Sequence, residues 1–271
     1  MVESRFRLKS KIMINKIFQE GTLLLMVVIL FMTHEAFPQK TDSIKMMNHF
    51  GGFVTLTNNG ISTIPSFTLG KPALIFSMSV GRKISFEPEF RFSLEGKPWM
   101  LIFWWRYDLW KSERYFIRLG INSQLNFNKV VITSNGITNE LQVANRWLTG
   151  DLTQSYFVTK NYSVGTYYMY SRTLEKTGIK DLHYLAFRNN FLNIKLTRQF
   201  FMKFSPQIYY LRLGENDGFY VSETLTLAKR NFPLNISSII TTPIKSNVPV
   251  NNHLLWNINL TYTFNNEYIR R

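Results

Sequence analysis

The run His253 to Phe264, HLLWNINLTYTF, restricts the fold more than any other stretch of the chain. Leu254, Trp256, Ile258, Leu260, Tyr262 and Phe264 are apolar or aromatic, and Asn257, Asn259, Thr261 and Thr263 alternate with them. A period of two gives a strand one dry face and one wet face. A sandwich would cover the dry face with a second sheet. Here the run opens and closes on aromatic residues, the arrangement expected of a strand that crosses two membrane interfaces.

That run resembles the closing strand of bacterial outer-membrane β-barrels, in which alternate apolar residues lead to a Phe read by the insertion machinery. Trp256, Ile258, Leu260, Tyr262 and Phe264 match this pattern as the insertion signal, and residues 265–271 trail behind as a C-terminal tail. Composition agrees with a barrel. Aromatics reach 15% of the chain while mean hydropathy is only −0.10, and no long apolar run follows the first forty residues. Many aromatics without a spanning helix suit a wall with aromatic girdles and a polar lumen.

At the start, Arg5, Arg7, Lys9, Lys11 and Lys16 precede Leu23 to Met32, which is followed by a boundary near Ala36 to Gln39. A basic region, an apolar run of about ten residues and a small-residue boundary read as a signal peptide over 1–39, since a spanning helix needs roughly 20. Residues 40–48 are a polar periplasmic lead-in, and 49–264 form the barrel. The chain has no cysteine, which excludes disulfides, thiolate metal sites, cysteine nucleophiles and a lipoprotein anchor. The formal charge of +15 raises the question of nucleic acid, but the basic residues are spread singly among strands with no helix or run to gather them. No nucleotide, zinc or calcium motif occurs, so no cofactor and no metal are implied.

From Gly51 to Phe264, strand-like segments follow one another without helical periodicity, about twelve in number, which is even, as single-chain barrels require. Short turn-like connections at 81–83, 111–114, 159–161, 197–200 and 228–233 belong on the periplasmic side. Asn58 to Pro72, Leu125 to Asn139 and Arg172 to Asp181 are then expected as loops outside the cell. The third strand, Ile84 to Leu94, alternates cleanly, with Phe86, Pro88, Phe90 and Phe92 on one face and Glu87, Glu89 and Arg91 on the other. In the fourth, Trp99 to Leu109, Trp104, Arg106 and Asp108 face inward. A turn at Glu95 to Pro98 would place Phe92 opposite Leu101 and Glu87 opposite Arg106, so that Glu87, Glu89, Arg91, Arg106, Asp108 and Arg118 gather on one inner wall. Trp104 is the inward aromatic able to stack a solute. Arg188 and Glu223 fall in ambiguous phase.

The segment Ile84 to Tyr107, FEPEFRFSLEGKPW leading into FWWRY, also resembles uncharacterised small outer-membrane proteins of Gram-negative bacteria. The resemblance implies an all-β fold, a single antiparallel transmembrane barrel located in the cell outer membrane, and partners in outer-membrane lipid, lipopolysaccharide and the barrel-assembly machinery. Function is expected to be structural or that of a narrow solute channel, with anion preference through Arg91, Arg106 and Arg118 if the lumen is open. The alternatives are a lipid-modifying hydrolase and a component of a secretion or surface complex. A hydrolase would need a Ser–His pair drawn from His49, His183 or His253, with Ser237 or Ser238 conceivable beside the closing strands. The Ser-Asn-Gly at 134–136 reads as a loop turn.

Overall fold

A computed structural model describes residues 47–134, 137–176, 178–250 and 252–269. The expected signal peptide and most of the lead-in, and Asn135 and Gly136 of the Ser-Asn-Gly segment, lie outside the described residues. The strands are β1 (Met47–Thr57), β2 (Ala73–Gly81), β3 (Ile84–Ser93), β4 (Pro98–Lys111), β5 (Tyr115–Ser134), β6 (Ile137–Thr159), β7 (Tyr162–Thr173), β8 (Asp181–Lys195), β9 (Phe200–Leu213), β10 (Asn216–Lys229), β11 (Leu234–Ser246), β12 (Leu255–Trp256) and β13 (Asn259–Ile269). Each pairs antiparallel with its sequence neighbour from β1 to β11, and β13 returns to pair with β1. The ring is closed, with twelve staves, because β12 and β13 are two pieces of one stave that both pair with β11. Closure removes the free edges that a sheet could not satisfy in hydrocarbon.

The break in the last stave is made by asparagine side chains that stand in for the ladder. Asn257 Oδ1 accepts from the Ile239 N–H at 2.9 Å, its Nδ2 donates to Asn59 O at 3.2 Å, and Asn58 Oδ1 accepts from the Ile258 N–H at 2.7 Å. The alternation survives. Trp256, Ile258, Leu260 and Tyr262 are exposed on the outer face, while Leu255, Asn257 and Asn259 are buried inside. The supposed tail does not separate from this stave. Asn265 to Ile269 continue the ladder against Met47 to Gly51, so the seam is five residues longer than the sequence suggested.

On the seam, Phe264 lies directly opposite Gly52. A Cβ on that glycine would fall 2.2 Å from Ser77 O and 2.8 Å from the Phe264 ring. The aromatic thus covers a bare stretch of backbone, with Phe50 beside it at 5.7 Å between ring centroids, a cross-strand device that fixes register.

Three further expectations are corrected. The β3–β4 register is two residues tighter than expected: Phe90, not Phe92, faces Leu101, and Trp104, not Arg106, faces Glu87, with a bulge beside Arg91. The cause is a compact turn, in which Ser93 N–H donates to Lys97 O at 2.9 Å and Gly96 takes φ 78°. A shift of two leaves every side chain on its expected face. Leu125 to Asn139 is not a free loop, since β5 and β6 pair from Tyr115–Tyr156 as far as Ser134–Ile137. Asn58 to Pro72, expected outside, turns into the lumen, where Ile61, Ile64 and Pro65 are buried.

The two ambiguous charges fall on opposite faces. Arg188 faces the lumen, where its Nε donates to Gln207 Oε1 at 3.1 Å. Glu223 shares the outer face of β10 with exposed Phe219, Leu225 and Leu227, opposite Pro206 and Ile240.

Candidate functional site

The lumen wall from β3 to β6 carries the charges. Arg106 on β4, Gly120 on β5 and Asp151 on β6 are direct lateral neighbours. Because Gly120 has no side chain, the Arg106 guanidinium passes over it to an ion pair with Asp151 Oδ2; a Cβ there would lie 2.4 Å from Asp151 Oδ1 and 2.6 Å from an Arg106 nitrogen. Asp151 has no exposed side-chain surface, and Tyr167 Oη donates to its Oδ2 at 2.9 Å. Arg106 Nε also reaches Glu87 at 3.6 Å, and Arg118 bridges Glu87 at 3.5 Å and Asp108 at 2.5 Å. Ser85 donates to Glu87 at 2.8 Å. Arg91 pairs along its own strand with Glu89 at 2.5 Å.

All six charges expected on the inner wall are therefore there, and they join into one chain except Glu89 and Arg91, which form a separate pair. The member missed in the sequence was Asp151. Its signal was the glycine, an unfilled inward position flanked laterally by one cation and one anion. Trp104 also faces inward as expected, but the Arg106 guanidinium already stacks on it at 3.6 Å from the ring centroid, so that ring is engaged by the protein itself.

The wall from β7 to β10 is built otherwise. Tyr167, Tyr184, Tyr209 and Tyr220 are buried and stand in sequence around it, with centroid separations of 5.8, 4.7 and 4.9 Å. The Tyr209 and Tyr220 planes are only 5° apart. Leu182, Leu211 and Leu213 fill in beside them. Arg188 lies over the Tyr167 ring at 4.0 Å from its centroid, where the two walls meet. Unlike Arg91, Arg106 and Arg118, it has no carboxylate partner among the described residues.

Between the walls sits the inward loop. Trp99 Nε1 donates to Phe67 O at 2.9 Å, Phe67 packs on Trp147 with centroids 5.5 Å apart, and Ser66 Oγ donates to Pro249 O at 2.9 Å. The tip, Ser62 and Thr63, divides the lumen into two cavities of about 280 and 200 Å³. Thr55, Ser222, Thr241 and Asn259 help to line the larger one, and Trp104, Arg106, Tyr167 and Arg188 the smaller. Ser62, Thr63 and Arg91 border both, which makes them the partition.

The histidines do not assemble a hydrolase site at the external rim. His253 stands at the loop end, before β12, and His49 at the opposite end of the barrel, facing Gly81 at the start of a short turn. His183 is on the outer face with Tyr168 Oη 2.9 Å from its Nδ1. Ser237 takes a hydrogen bond from Asn259 at 3.2 Å, and Ser238 lies on the outer face opposite Leu225. A Ser–His contact does occur, His49 Nε2 to Ser79 Oγ at 2.7 Å, but it is inside the lumen, where Ser79 also approaches Glu87 at 3.5 Å. It extends the charged wall and lies away from any lipid surface.

Neither a protein-family model nor a curated protein matches the chain. Among solved structures, it is similar to the KdgM porin in complex with disordered oligogalacturonate, at 9% identity and a TM-score of 0.48 over 80% of this chain and 99% of that one. It is also similar to the NanC porin, at 12% identity and a TM-score of 0.43 over 81% and 100% of the two chains. For an outer membrane channel from Pseudomonas putida F1 the values are 8% identity and 0.43 over 86% and 100%.

Proposed function

We propose that the protein is an outer-membrane barrel that admits small solutes through a lumen throttled by its own first loop. The closed ring and its apolar outer face support the membrane location, and the shortness of the turns after β2, β4, β6, β8 and β10 supports reading that end as the periplasmic one. The observation that carries the channel reading is the partition: two lumen cavities, the larger lined mainly by polar side chains and the smaller by polar and apolar ones together, share Ser62, Thr63 and Arg91 as their common border. Assembly by the barrel-assembly machinery and contact with lipopolysaccharide belong to the same proposal.

Anion preference through Arg91, Arg106 and Arg118 is weaker than the sequence implied, because each meets a carboxylate and presents little net charge to a passing ion. Arg188 is the cation of the smaller cavity that has no carboxylate partner among the described residues, and so is the one placed there to set a preference. In a planar bilayer, the refolded protein should show a small conductance that rises several-fold when Ile61 to Phe67 is replaced by a short Gly-Ser link. Arg188→Gln should move the reversal potential in a salt gradient toward cations. Absence of conductance in both the wild type and the shortened-loop protein would leave a structural barrel in place of a channel.

A further inference from the structure

The smaller lumen cavity is one-sided in charge. Arg91, Arg106 and Arg188 line it, and no Asp or Glu does among the described residues. Two of these cations are already engaged, Arg91 with Glu89 at 2.5 Å and Arg106 with Asp151, whose carboxylate has no exposed side-chain surface. Arg188 has no such partner. Gln207 Oε1 accepts from its Nε at 3.1 Å, and the Tyr167 ring lies under it at 4.0 Å from the centroid, so the guanidinium is held in place without a counterion. Held in this way, it presents its remaining N–H groups as a fork that matches a carboxylate.

The rest of the cavity offers apolar surface. Ile64 and Phe67 reach it from the first loop, and Ile102, Trp147, Met169 and Leu182 from the wall. Phe67 and Met169 are only half-buried against the core cluster, and a thioether packs well on an aromatic ring. Leu182 and Arg188 are both inward residues of β8, with Tyr184 and Ala186 between them. The cavity therefore runs along the strand, with its unpaired cation toward the short turns and its apolar shelf toward the loops. Its volume of about 200 Å³ suits a single ring, since an apolar void of about 150 Å³ holds a benzene. We infer that this cavity binds a small aromatic monocarboxylate, with the carboxylate on Arg188 and the ring, a short linker away, against Phe67, Trp147 and Met169. The inference rests on the reading of the lumen as a solute path and names the class of solute. The larger cavity, lined mainly by hydroxyls and amides and bordered by Glu89, has neither the unpaired cation nor the shelf.

The probes are phenylpropionate, phenylpropanol and phenylpropylamine, which share a ring and a linker and differ in charge. Each is titrated calorimetrically into the refolded full barrel in a non-ionic detergent, with the heats into protein-free micelles subtracted. The wild type should bind the acid about tenfold or more tighter than the alcohol, as charge-assisted hydrogen bonds provide, and the amine not measurably. Arg188→Gln should cost the acid about tenfold and leave the alcohol within about twofold. Phe67→Ser should instead weaken acid and alcohol alike, by about fivefold. Folding is followed independently by heat-dependent gel mobility, and if Arg188→Gln does not fold, the order of the three probes on the wild type decides. Equal binding of acid and alcohol, an acid preference that survives Arg188→Gln, or binding that Phe67→Ser leaves unchanged overturns the inference. Binding in the expected order by a barrel that conducts no ions supports the site and removes only the channel reading, whereas conductance with no order among the probes does the reverse.

Discussion

The two halves of the lumen wall solve the same problem with different chemistry. From β3 to β6, inward positions hold charges that are satisfied by one another across Gly120; from β7 to β10, they hold tyrosines that fill space by stacking. Paired charges depend on geometry, because a buried charge that loses its partner is costly. Stacked rings depend on volume, because a missing ring leaves a void. The aromatic half therefore tolerates chemical change at constant shape, and the charged half tolerates very little of either.

Substitutions can separate the two. The largest loss is expected for Tyr209→Ala, which removes the ring between Tyr184 and Tyr220 and should cost about 4 kcal/mol in urea unfolding from liposomes. Asp151→Ala should cost about 3 kcal/mol, since the carboxylate left to Arg106 is then Glu87, at the longer distance of 3.6 Å. If this loss is recovered in the Arg106→Leu/Asp151→Leu double variant, the pair matters by its matching and not by a favourable net energy. Gly120→Ala should cost about 2 kcal/mol, as Arg106 and Asp151 must part to make room for a methyl group. Smallest is Tyr184→Phe. Its hydroxyl is buried without a hydrogen-bond partner in the described structure, so the change should stay within about 0.5 kcal/mol of zero. A loss as large as that of Asp151→Ala would show that the tyrosine wall is also a polar network and would erase the contrast.

The parts of this arrangement that the sequence disclosed follow from period-two alternation. It assigned Glu87, Arg91, Arg106 and Asp108 to the lumen and Trp256 to Tyr262 to lipid, and a register error of two residues between β3 and β4 left those faces intact. Lateral neighbours were a different matter. Arg106 finds Asp151 two strands away, a relation set by two successive registers, and Glu87, expected opposite Arg106, meets it on the diagonal. The tyrosine wall was hidden because β8 and β10 mix residue types on both faces, so Arg188 and Glu223 had no clear phase. The inward loop had a signal that went unread. Ile61, Ile64, Phe67 and Leu69 are more large apolar side chains than a loop in water needs; Ile61 and Ile64 are buried, and Phe67 and Leu69 pack against buried residues.

The seam between β1 and β13 bears on how the chain can be made at all. Thr55 and Thr261, 206 positions apart, share a hydrogen bond of 2.8 Å, and Phe264 covers Gly52 a few residues along. The first stave to leave the ribosome is thus the last to acquire its second neighbour. Until the carboxyl-terminal residues arrive, β1 has one unpaired side, and nothing in the earlier strands can substitute for the ring that Gly52 lacks. Synthesis order and closure order run in opposite directions, so a chain stalled before Phe264 would be an open sheet with a live edge, suited to capture by a chaperone or by another copy.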